Sequence, residues 1–345
     1  MRLNKLPIKT TNHFNINDID LDLNIPKYKG YSSHSIIGDT NKLIIKTNKV
    51  EQELTTKIGI TYKKYQELNI TIPKNTKIEE PILIDYAFVD DDSLIDRIII
   101  NYEENSSCNF IITYISKDDN NHFHSLLEQT SSNKSSSGNI TYINLMNDKS
   151  TNMISIENNV YNSANITHNI IDIGGNIRLY NVYSDLLEEH ASNSLNNIYI
   201  GNKNNIIDMN YYLKNTAKNT TNNMKVEGSL NDNSKKNFRG TIDFISGCSN
   251  SIGEENENCI LLSDKCLSRS LPQMLCGEEN VVGTHGVSSG TVDKEKLFYL
   301  MSRGISKKDS EKLIIMSKFN QILNNIPSPE IIKYLTTTIE EILTK

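Results

Sequence analysis

Short apolar runs alternate with polar gaps through the middle of the chain. Between residues 82 and 263 they recur at spacings of roughly 8–15 residues, without helical periodicity between them. Asn, Gly, Ser and Asp fill the gaps, as they do in turns. The pattern predicts an all-β region, with strands at 95–102, 109–115, 140–145, 153–156, 166–173, 177–183, 195–200, 206–213, 224–230, 238–245 and 259–262.

So many consecutive strands exceed an ordinary sandwich and suit a solenoid that adds coil after coil. No strict sequence repeat is visible, so the pattern leaves both sandwich and solenoid open. Before this region, residues 50–65 are compatible with a helix. In the segment 70–86, which contains Pro73 and Pro81, the alternation of Ile78, Ile82, Ile84 and Tyr86 predicts the start of β-structure.

The last part of the chain changes to a helical pattern. Asp293 is a candidate N-cap, and Gly304 a candidate stop, for a first helix. Ser306 begins a sequence that resembles a capping box, which predicts a second helix. Ser328 followed by Pro329 predicts the start of a third helix. We therefore expect a helical domain from about residue 291 to 345.

Composition narrows the functional classes. Acidic residues outnumber basic ones by 42 to 36, and this net charge of −6 argues against a nucleic-acid partner. No apolar run is long enough for a signal peptide or membrane helix, so we expect a cytoplasmic protein without a membrane partner. In that reducing compartment the five cysteines should be free thiols or metal ligands. No motif around Cys108 or Cys248 supports a role as a ligand, so both are predicted to be structural.

Motifs of common enzymes are missing from the sequence. It contains no G-x-x-x-x-G-K-[ST], G-x-S-x-G or HExxH pattern. We therefore expect no catalytic turnover and no nucleotide bound by this chain.

The strongest candidate site lies where the β-region gives way to helices. His285 is part of a Gly-Thr-His-Gly sequence that is typical of a turn, and Cys276 lies nine residues upstream, with Glu279 between them. Imidazole, carboxylate and thiolate together suit iron or sulfur chemistry. The competing interpretation of Cys276 is a small buried residue, because it continues an apolar run.

Two further cysteines are weaker candidates. Cys259 precedes an apolar run in a predicted strand, and a core cysteine is as plausible there as a sulfur-relay thiol. Cys266 lies in a polar turn. The acids within 254–257 are interpreted as a solvated turn.

Four histidines elsewhere are interpreted as exposed side chains. His122 and His124 are spaced to share one strand face, which is compatible with metal binding, but no carboxylate or cysteine lies close in sequence. The same interpretation applies to His168 and His190.

The stretch 261–305 resembles the SufB/SufD family, scaffold proteins of the SUF iron–sulfur cluster assembly system. His285-Gly286-Val287-Ser288 stands where SufD-type members carry His-Gly-Ala-Thr, and LFYLMSRGI at 297–305 resembles the helical signature that follows. Phe238-Arg239-Gly240 resembles a further family strand. The similarity spans roughly residues 70 to 330 and is specific at 272–305.

The resemblance implies a right-handed parallel β-helix, a mainly β fold with an N-terminal α/β region and a C-terminal helical domain. The corresponding boundaries are 1–75, 76–290 and 291–345. It further implies pairing through the end of the β-helix, with another copy or with a SufB/SufD paralogue. The C-terminal helices would dock a SufC-type ABC ATPase. A transient iron–sulfur cluster, sulfur donors and acceptor apo-proteins complete the implied partners.

The sequence departs from the family pattern at the cluster residues. The position of the SufB-type cluster cysteine falls on Glu257, and the SufB His-Glu pair becomes His285-Gly286. Cys266 and Cys276 stand where SufB-type members also carry cysteines. The candidate site therefore comprises Cys276, Glu279 and His285 as metal ligands, with Cys266 and Cys259 nearby.

Two other functions remain open from the sequence. The first is an adaptor for the ATPase that holds no cluster, in the manner of SufD. The second is a carbohydrate-active β-helix enzyme, which would need paired carboxylates on neighbouring coils. The acids at 90–92 are the acidic cluster that the β-region offers for such a role, and they are interpreted as a turn.

Overall fold

The computed structural model describes residues 1–10, 15–26 and 33–344. In these residues it contains 22 β-strands, a 3₁₀ helix at Thr40–Lys42 and three α-helices. The strands are β1 (Arg2–Leu3), β2 (Ile19–Asp20), β3 (Ser33–Ile37), β4 (Ile44–Val50), β5 (Leu54–Thr55), β6 (Thr61–Tyr62), β7 (Tyr65–Ile72), β8 (Ile82–Phe88), β9 (Ser93–Tyr102), β10 (Ser107–Ser116), β11 (Phe123–Ser132), β12 (Ser137–Leu145), β13 (Thr151–Val160), β14 (Asn165–Asp172), β15 (Ile177–Leu186), β16 (Ser192–Gly201), β17 (Ile206–Asn215), β18 (Thr221–Leu230), β19 (Lys235–Phe244), β20 (Ser251–Leu261), β21 (Leu267–Cys276) and β22 (Val281–Thr291). The helices are α1 (Lys294–Ser302), α2 (Lys307–Leu323) and α3 (Pro329–Thr344).

Two nine-stranded sheets form the body of the molecule. The odd sheet contains β4 and the odd-numbered strands from β7 to β21, and the even sheet contains β3 and the even-numbered strands from β8 to β22. From β7 onward the chain alternates between the sheets, and every strand pairs in parallel with the strand two places along. About eight coils result. The alternative between sandwich and solenoid is thereby settled: the fold is a parallel β-solenoid with C-terminal helices, as the resemblance implied.

The Asn-rich composition is accommodated by side-chain ladders between coils. On the outer face of the even sheet, Asn169 Nδ2 donates to Asn139 Oδ1 at 2.8 Å. Asn196 Nδ2 donates to Asn169 Oδ1 at 2.9 Å. Asn196 stacks directly on Asn169 in the parallel register, whereas Asn169 reaches Asn139 diagonally, so these amides find partners in neighbouring coils. A polar sequence therefore folds here without losing hydrogen bonds.

One corner of the solenoid contains a repeat that the sequence pattern did not reveal. At this corner a residue with φ between 55° and 62° recurs every 27 to 31 positions. Asn is favoured at such left-handed positions. The next residue in sequence, where the chain turns toward the interior, is small in each case. The corner residues are Asn75, Asn105, Ser135, Ser163, His190, Asn219 and Asn250.

The N-terminal region covers the outer face of the odd sheet. Leu54, Ile58 and Tyr62 pack there with Ile95 and Leu127. The helix considered for residues 50–65 is wrong, because β5 and β6 form a hairpin in that range. Alternate residues of 58–62 are buried, which is the period of a strand. In the described part of residues 1–75, the helical component is limited to the 3₁₀ helix at Thr40–Lys42.

The helices α2 and α3 cover the outer face of the even sheet. Phe319 and Leu335 pack against a stripe of isoleucines that includes Ile143 and Ile171. The predicted caps are confirmed: Asp293 accepts hydrogen bonds from the backbone of α1, and Ser306 Oγ accepts one from Asp309 N at 3.1 Å. In the described ranges, no helix is both long and apolar enough to cross a membrane.

Candidate functional site

The last coil, formed by β21 and β22, is the open end of the solenoid. Among the described residues, β21 pairs only with β19 and β22 only with β20, so each has one unpaired edge. In earlier coils, side chains that point inward are covered by the next coil. In the last coil the same positions are accessible, which makes this end the natural place for a site.

His285 lies in the middle of β22 and points toward the solenoid interior. Its Cα pairs with that of Glu255 in β20, and its side chain is exposed. The prediction of a turn at this histidine is wrong, since β22 continues to Thr291. Gly286 and Gly290 are strand residues, and the chain turns only at the cap of α1.

Cys276 occupies the last inward position of β21. Its Cα pairs with that of Phe244, and its side chain is exposed, so it is not the small buried residue of the competing interpretation. Met274 precedes it on the same face and contacts Gly283 of β22, where an added Cβ would lie 2.4 Å from Met274 Sδ. This contact lies between Cys276 and His285.

Glu279 is exposed in the turn between β21 and β22. Its neighbour Glu278 maintains the turn, because its carboxylate accepts hydrogen bonds from Gly247 N at 2.9 Å and Glu279 N at 3.1 Å. The bonds from Gly247 and Asn280 lower the pKa of Glu278. Glu279 is therefore the carboxylate of this turn that remains available to a ligand.

The three predicted metal ligands do not form one compact group. Across residues 1–10, 15–26 and 33–344, no three His, Cys, Asp or Glu side chains lie close enough together to hold a metal ion. Cys276, Glu279 and His285 therefore border the same open coil without making a three-ligand centre in a single chain.

A buried polar cluster lies directly beneath the open coil. Lys236 Nζ donates to Glu257 Oε1 at 2.5 Å and to Ser270 Oγ at 2.8 Å. Tyr199 donates to Glu257 Oε1 at 2.9 Å, and Ser270 donates to Glu257 Oε2 at 2.8 Å. Both charged side chains are fully buried, and a buried charge is tolerated only when paired and hydrogen-bonded in this way.

Cys259 is part of this cluster, two residues beyond Glu257 on the inward face of β20. Burial raises the pKa of its thiol, and the Lys236 ammonium and the nearby Tyr199 hydroxyl oppose that shift. Tyr199 reaches so far because Gly228 has no side chain: a Cβ there would lie 2.0 Å from the tyrosine ring. Cys259 is thus a buried protonated thiol beside a lysine.

The remaining cysteines and acids divide between confirmation and correction. Cys266 is half-buried in the turn before β21, where its Sγ donates to Ser263 O at 2.9 Å. Cys108 and Cys248 are buried, as a structural role predicts. The solvated turn expected at 254–257 is wrong, because Glu255 and Glu257 are buried in β20. Glu255, Glu257 and Cys259 follow one another at a spacing of two, which is the period of one strand face, and this was the available signal.

Three of the four histidines interpreted as exposed are buried, so that interpretation is wrong for His122, His124 and His168. His190 is exposed as predicted. The statement that no carboxylate lies close in sequence is wrong for His122, since Asp118 lies four residues before it. The carboxylates that contact His124 and His168 belong to other coils, 28 and 40 residues away, which a local pattern cannot reveal. The contacts are His122 with Asp118 at 3.0 Å, His124 with Asp96 at 3.1 Å and His168 with Glu128 at 2.9 Å.

Comparison with known proteins gives a consistent result. Residues 87–318, about two thirds of the chain, match the family model described as the SufBD core domain of SUF-system FeS cluster assembly. The SufD iron–sulfur cluster assembly protein of Bacillus subtilis is 33% identical over 113 residues, 33% of this chain and 26% of that protein. Escherichia coli SufD is 24% identical over 143 residues, 41% of this chain and 34% of that protein.

A longer match is to an iron–sulfur cluster assembly SufBD family protein of Staphylococcus saprophyticus. It is 22% identical over 261 residues, 75% of this chain and 56% of that protein. The chain thus matches only about a quarter to a little over half of each of these relatives.

Proposed function

Because the chain belongs to the SufBD core family of the SUF system, we propose that it is a scaffold for the assembly of an iron–sulfur cluster. The observation that carries the proposal is the open last coil, where Cys276 and His285 occupy inward positions and are still accessible. A thiolate and an imidazole at such a place can receive iron and sulfur. The cluster is cargo that passes on to acceptor apo-proteins.

The proposed ligands of this chain are Cys276, Glu279 and His285. Cys259 and Cys266 lie in and beside the buried cluster below and are proposed to handle sulfur. Mixed ligation by sulfur, nitrogen and oxygen holds iron less firmly than four thiolates, which suits a scaffold that must release its cluster.

The second part of the site is proposed to come from another chain. The three ligands do not form one centre in this chain, and the unpaired edges of β21 and β22 are a template for pairing. A second copy, or a SufB/SufD paralogue, docked on the last coil would bring further ligands to the same place.

The helix α1 is proposed to dock a SufC-type ABC ATPase. No residue of α1 is buried, and Phe298 and Tyr299 are 75% and 57% exposed. Tyr299 and Leu300 line an apolar recess together with Leu313 of α2. Large exposed apolar side chains grouped in this way are typical of a binding surface. Because Asp293 caps α1 immediately after β22, motion of the ATPase would be transmitted to the last coil.

A cluster-free adaptor is the second candidate function. Glu257 stands where the resemblance places the SufB-type cysteine, and its carboxylate is fully occupied by Lys236, Tyr199 and Ser270. Two of the relatives above are named SufD. Under this alternative, the chain would support a cluster held mainly by a partner.

Anaerobic reconstitution with ferrous iron and sulfide tests the scaffold proposal. We expect Cys276→Ser to lose most of the bound iron and sulfide while the far-ultraviolet circular dichroism stays the same, because the side chain is exposed. Cys108→Ser is the control: burial raises the pKa of that thiol to about 12, and it should have no effect on the cluster.

The outcomes separate the two candidates. If Cys276→Ser retains the iron and sulfide of the unmodified chain, Cys276 is not a ligand. If the unmodified chain takes up no cluster on its own, and contributes no ligand to a cluster formed together with a SufB-type partner, the adaptor function is favoured.

A further inference from the structure

Glu255 is a buried carboxylate without a partner. It lies on the inward face of β20 and has no exposed surface. Neither of its carboxylate oxygens has a hydrogen-bond partner in the described part of the chain. Leaving a buried carboxylate unpaired is costly, so a group in this state usually takes up a proton or binds a cation.

The position of Glu255 is set by two neighbours. An added Cβ at Gly240 of β19 would lie 2.0 Å from Glu255 Oε1, so only glycine leaves room for the carboxylate at that point. In the other direction, the Cα partner of Glu255 in the last coil is His285, which points inward from β22. The carboxylate therefore forms the floor beneath the open coil, with the imidazole one rung above it.

The charges of this region would not balance if Glu255 were ionised without a cation beside it. Lys236 is fully engaged by Glu257 and Ser270. Glu255 is a second acid on the same face, and burial followed by repulsion from Glu257 raises its pKa to about 8. A positive charge placed beside Glu255 would restore neutrality and supply the contact that both oxygens lack.

We propose that Glu255 and His285 bind a divalent transition-metal ion, of the ferrous or zinc type, inside the open end of the solenoid. Carboxylate oxygen and imidazole nitrogen are ligands that such ions accept. The other coordination positions would be filled by water or by a second chain, consistent with the absence of a complete three-ligand group among the described residues.

This inference rests on the scaffold proposal in one respect, the identity of the ion as cargo. If the chain is a scaffold, this site is where ferrous iron binds before sulfur arrives. Binding of the ion itself needs neither a cluster nor an ATPase. The two ideas can therefore fail separately.

Titration of the full chain with cobalt(II), anaerobically and without sulfide or ATPase, tests the site. We expect one ion per chain, visible as ligand-field absorption, and confirmation with ferrous iron by calorimetry. Glu255→Gln and His285→Ala should each weaken binding at least about tenfold, the lower end of the losses seen when metal sites lose supporting groups.

Glu254→Gln is the matched control. Glu254 is the preceding residue of β20 and points to the exposed outer face, so its loss should leave binding unchanged. Binding by Glu255→Gln equal to that of the unmodified chain, or absence of cobalt binding, would overturn the proposal. His285→Ala alters an exposed side chain and keeps the test valid if Glu255→Gln folds poorly. Cobalt binding that depends on Glu255, in a chain that assembles no cluster, would support the metal site and refute the scaffold.

Discussion

Single residues in the solenoid interior show how a polar sequence can fill a core. Glu128 is fully buried in β11, and its carboxylate contacts His168 at 2.9 Å and accepts a hydrogen bond from Tyr142 at 2.7 Å. Thr130 donates to the same carboxylate. Burial acts to raise the pKa of Glu128, but His168 and these hydrogen bonds outweigh it, so the pKa lies below its ordinary value of 4.5.

This network predicts a pH-dependent loss of stability in Glu128→Gln. Because the folded pKa is lowered, the stability contributed by the carboxylate is complete above about pH 4.5 and disappears as pH falls through the folded value. We expect a loss of about 3 kcal/mol in the free energy of unfolding at pH 7, shrinking in more acidic buffer. Urea unfolding between pH 7 and about pH 2.5 measures it, because the loss diminishes below about pH 4.5.

Glu254→Gln, at an exposed position, is the control and should behave like the unmodified chain at every pH. A loss in Glu128→Gln that is the same at pH 7 and at about pH 2.5 would show that the ionised carboxylate is not what stabilises the fold.

Residue chemistry could be predicted where it is local and not where it depends on neighbouring coils. The caps at Asp293 and Ser306 are local, and both were found from sequence. The partner of Lys236 is 21 residues away, and that of His168 is 40 residues away. Without the register of the coils, Glu257 resembles a solvated acid and His168 an exposed histidine.

At the scale of elements, strands were predictable when their inward residues are apolar. The runs behind β9, β10 and β12 to β20 were all recognised. The strand β11 was missed because three of its inward positions hold His124, Glu128 and Thr130. The turn assigned around His285 was an error of the same kind. The strand β22 is rich in Gly, Ser and Thr, and in the described residues no further coil covers its inward side chains.

The exposed face of α1 gives a prediction for the partner. Phe298→Asp should abolish most binding of a SufC-type ATPase, because it places a charge on the exposed apolar face of α1. The fold should not change, since Phe298 is 75% exposed. Isothermal calorimetry with the purified ATPase measures the affinity.

Tyr334→Asp is the control, because Tyr334 is also an exposed aromatic side chain but lies on α3 and not on α1. Equal weakening by both variants, or normal binding by Phe298→Asp, would contradict docking on α1.

At the scale of the whole molecule, the two ends of the solenoid are treated differently. At the first end, β7 and β8 are covered by the antiparallel strands β4 and β3. At the last end, β21 and β22 have no covering strand in the described residues. An uncovered sheet edge readily adds another strand, and native proteins normally protect it. The asymmetry supports the proposal that the last coil is where another chain pairs.

We therefore predict a homodimer that pairs through β21 and β22. Light scattering should give about twice the chain mass of 39.1 kDa at micromolar concentration.

The sharper measurement is backbone hydrogen exchange at two protein concentrations. Amides of β22 that point away from β20 are unpaired in one chain, so they should be protected only at the higher concentration, where a second chain covers them. The amides of β9, which is paired on both edges, serve as the internal reference and should exchange equally slowly at both concentrations. Rapid exchange along β22 at both concentrations, with a monomeric mass, would mean that this end pairs only with a paralogue.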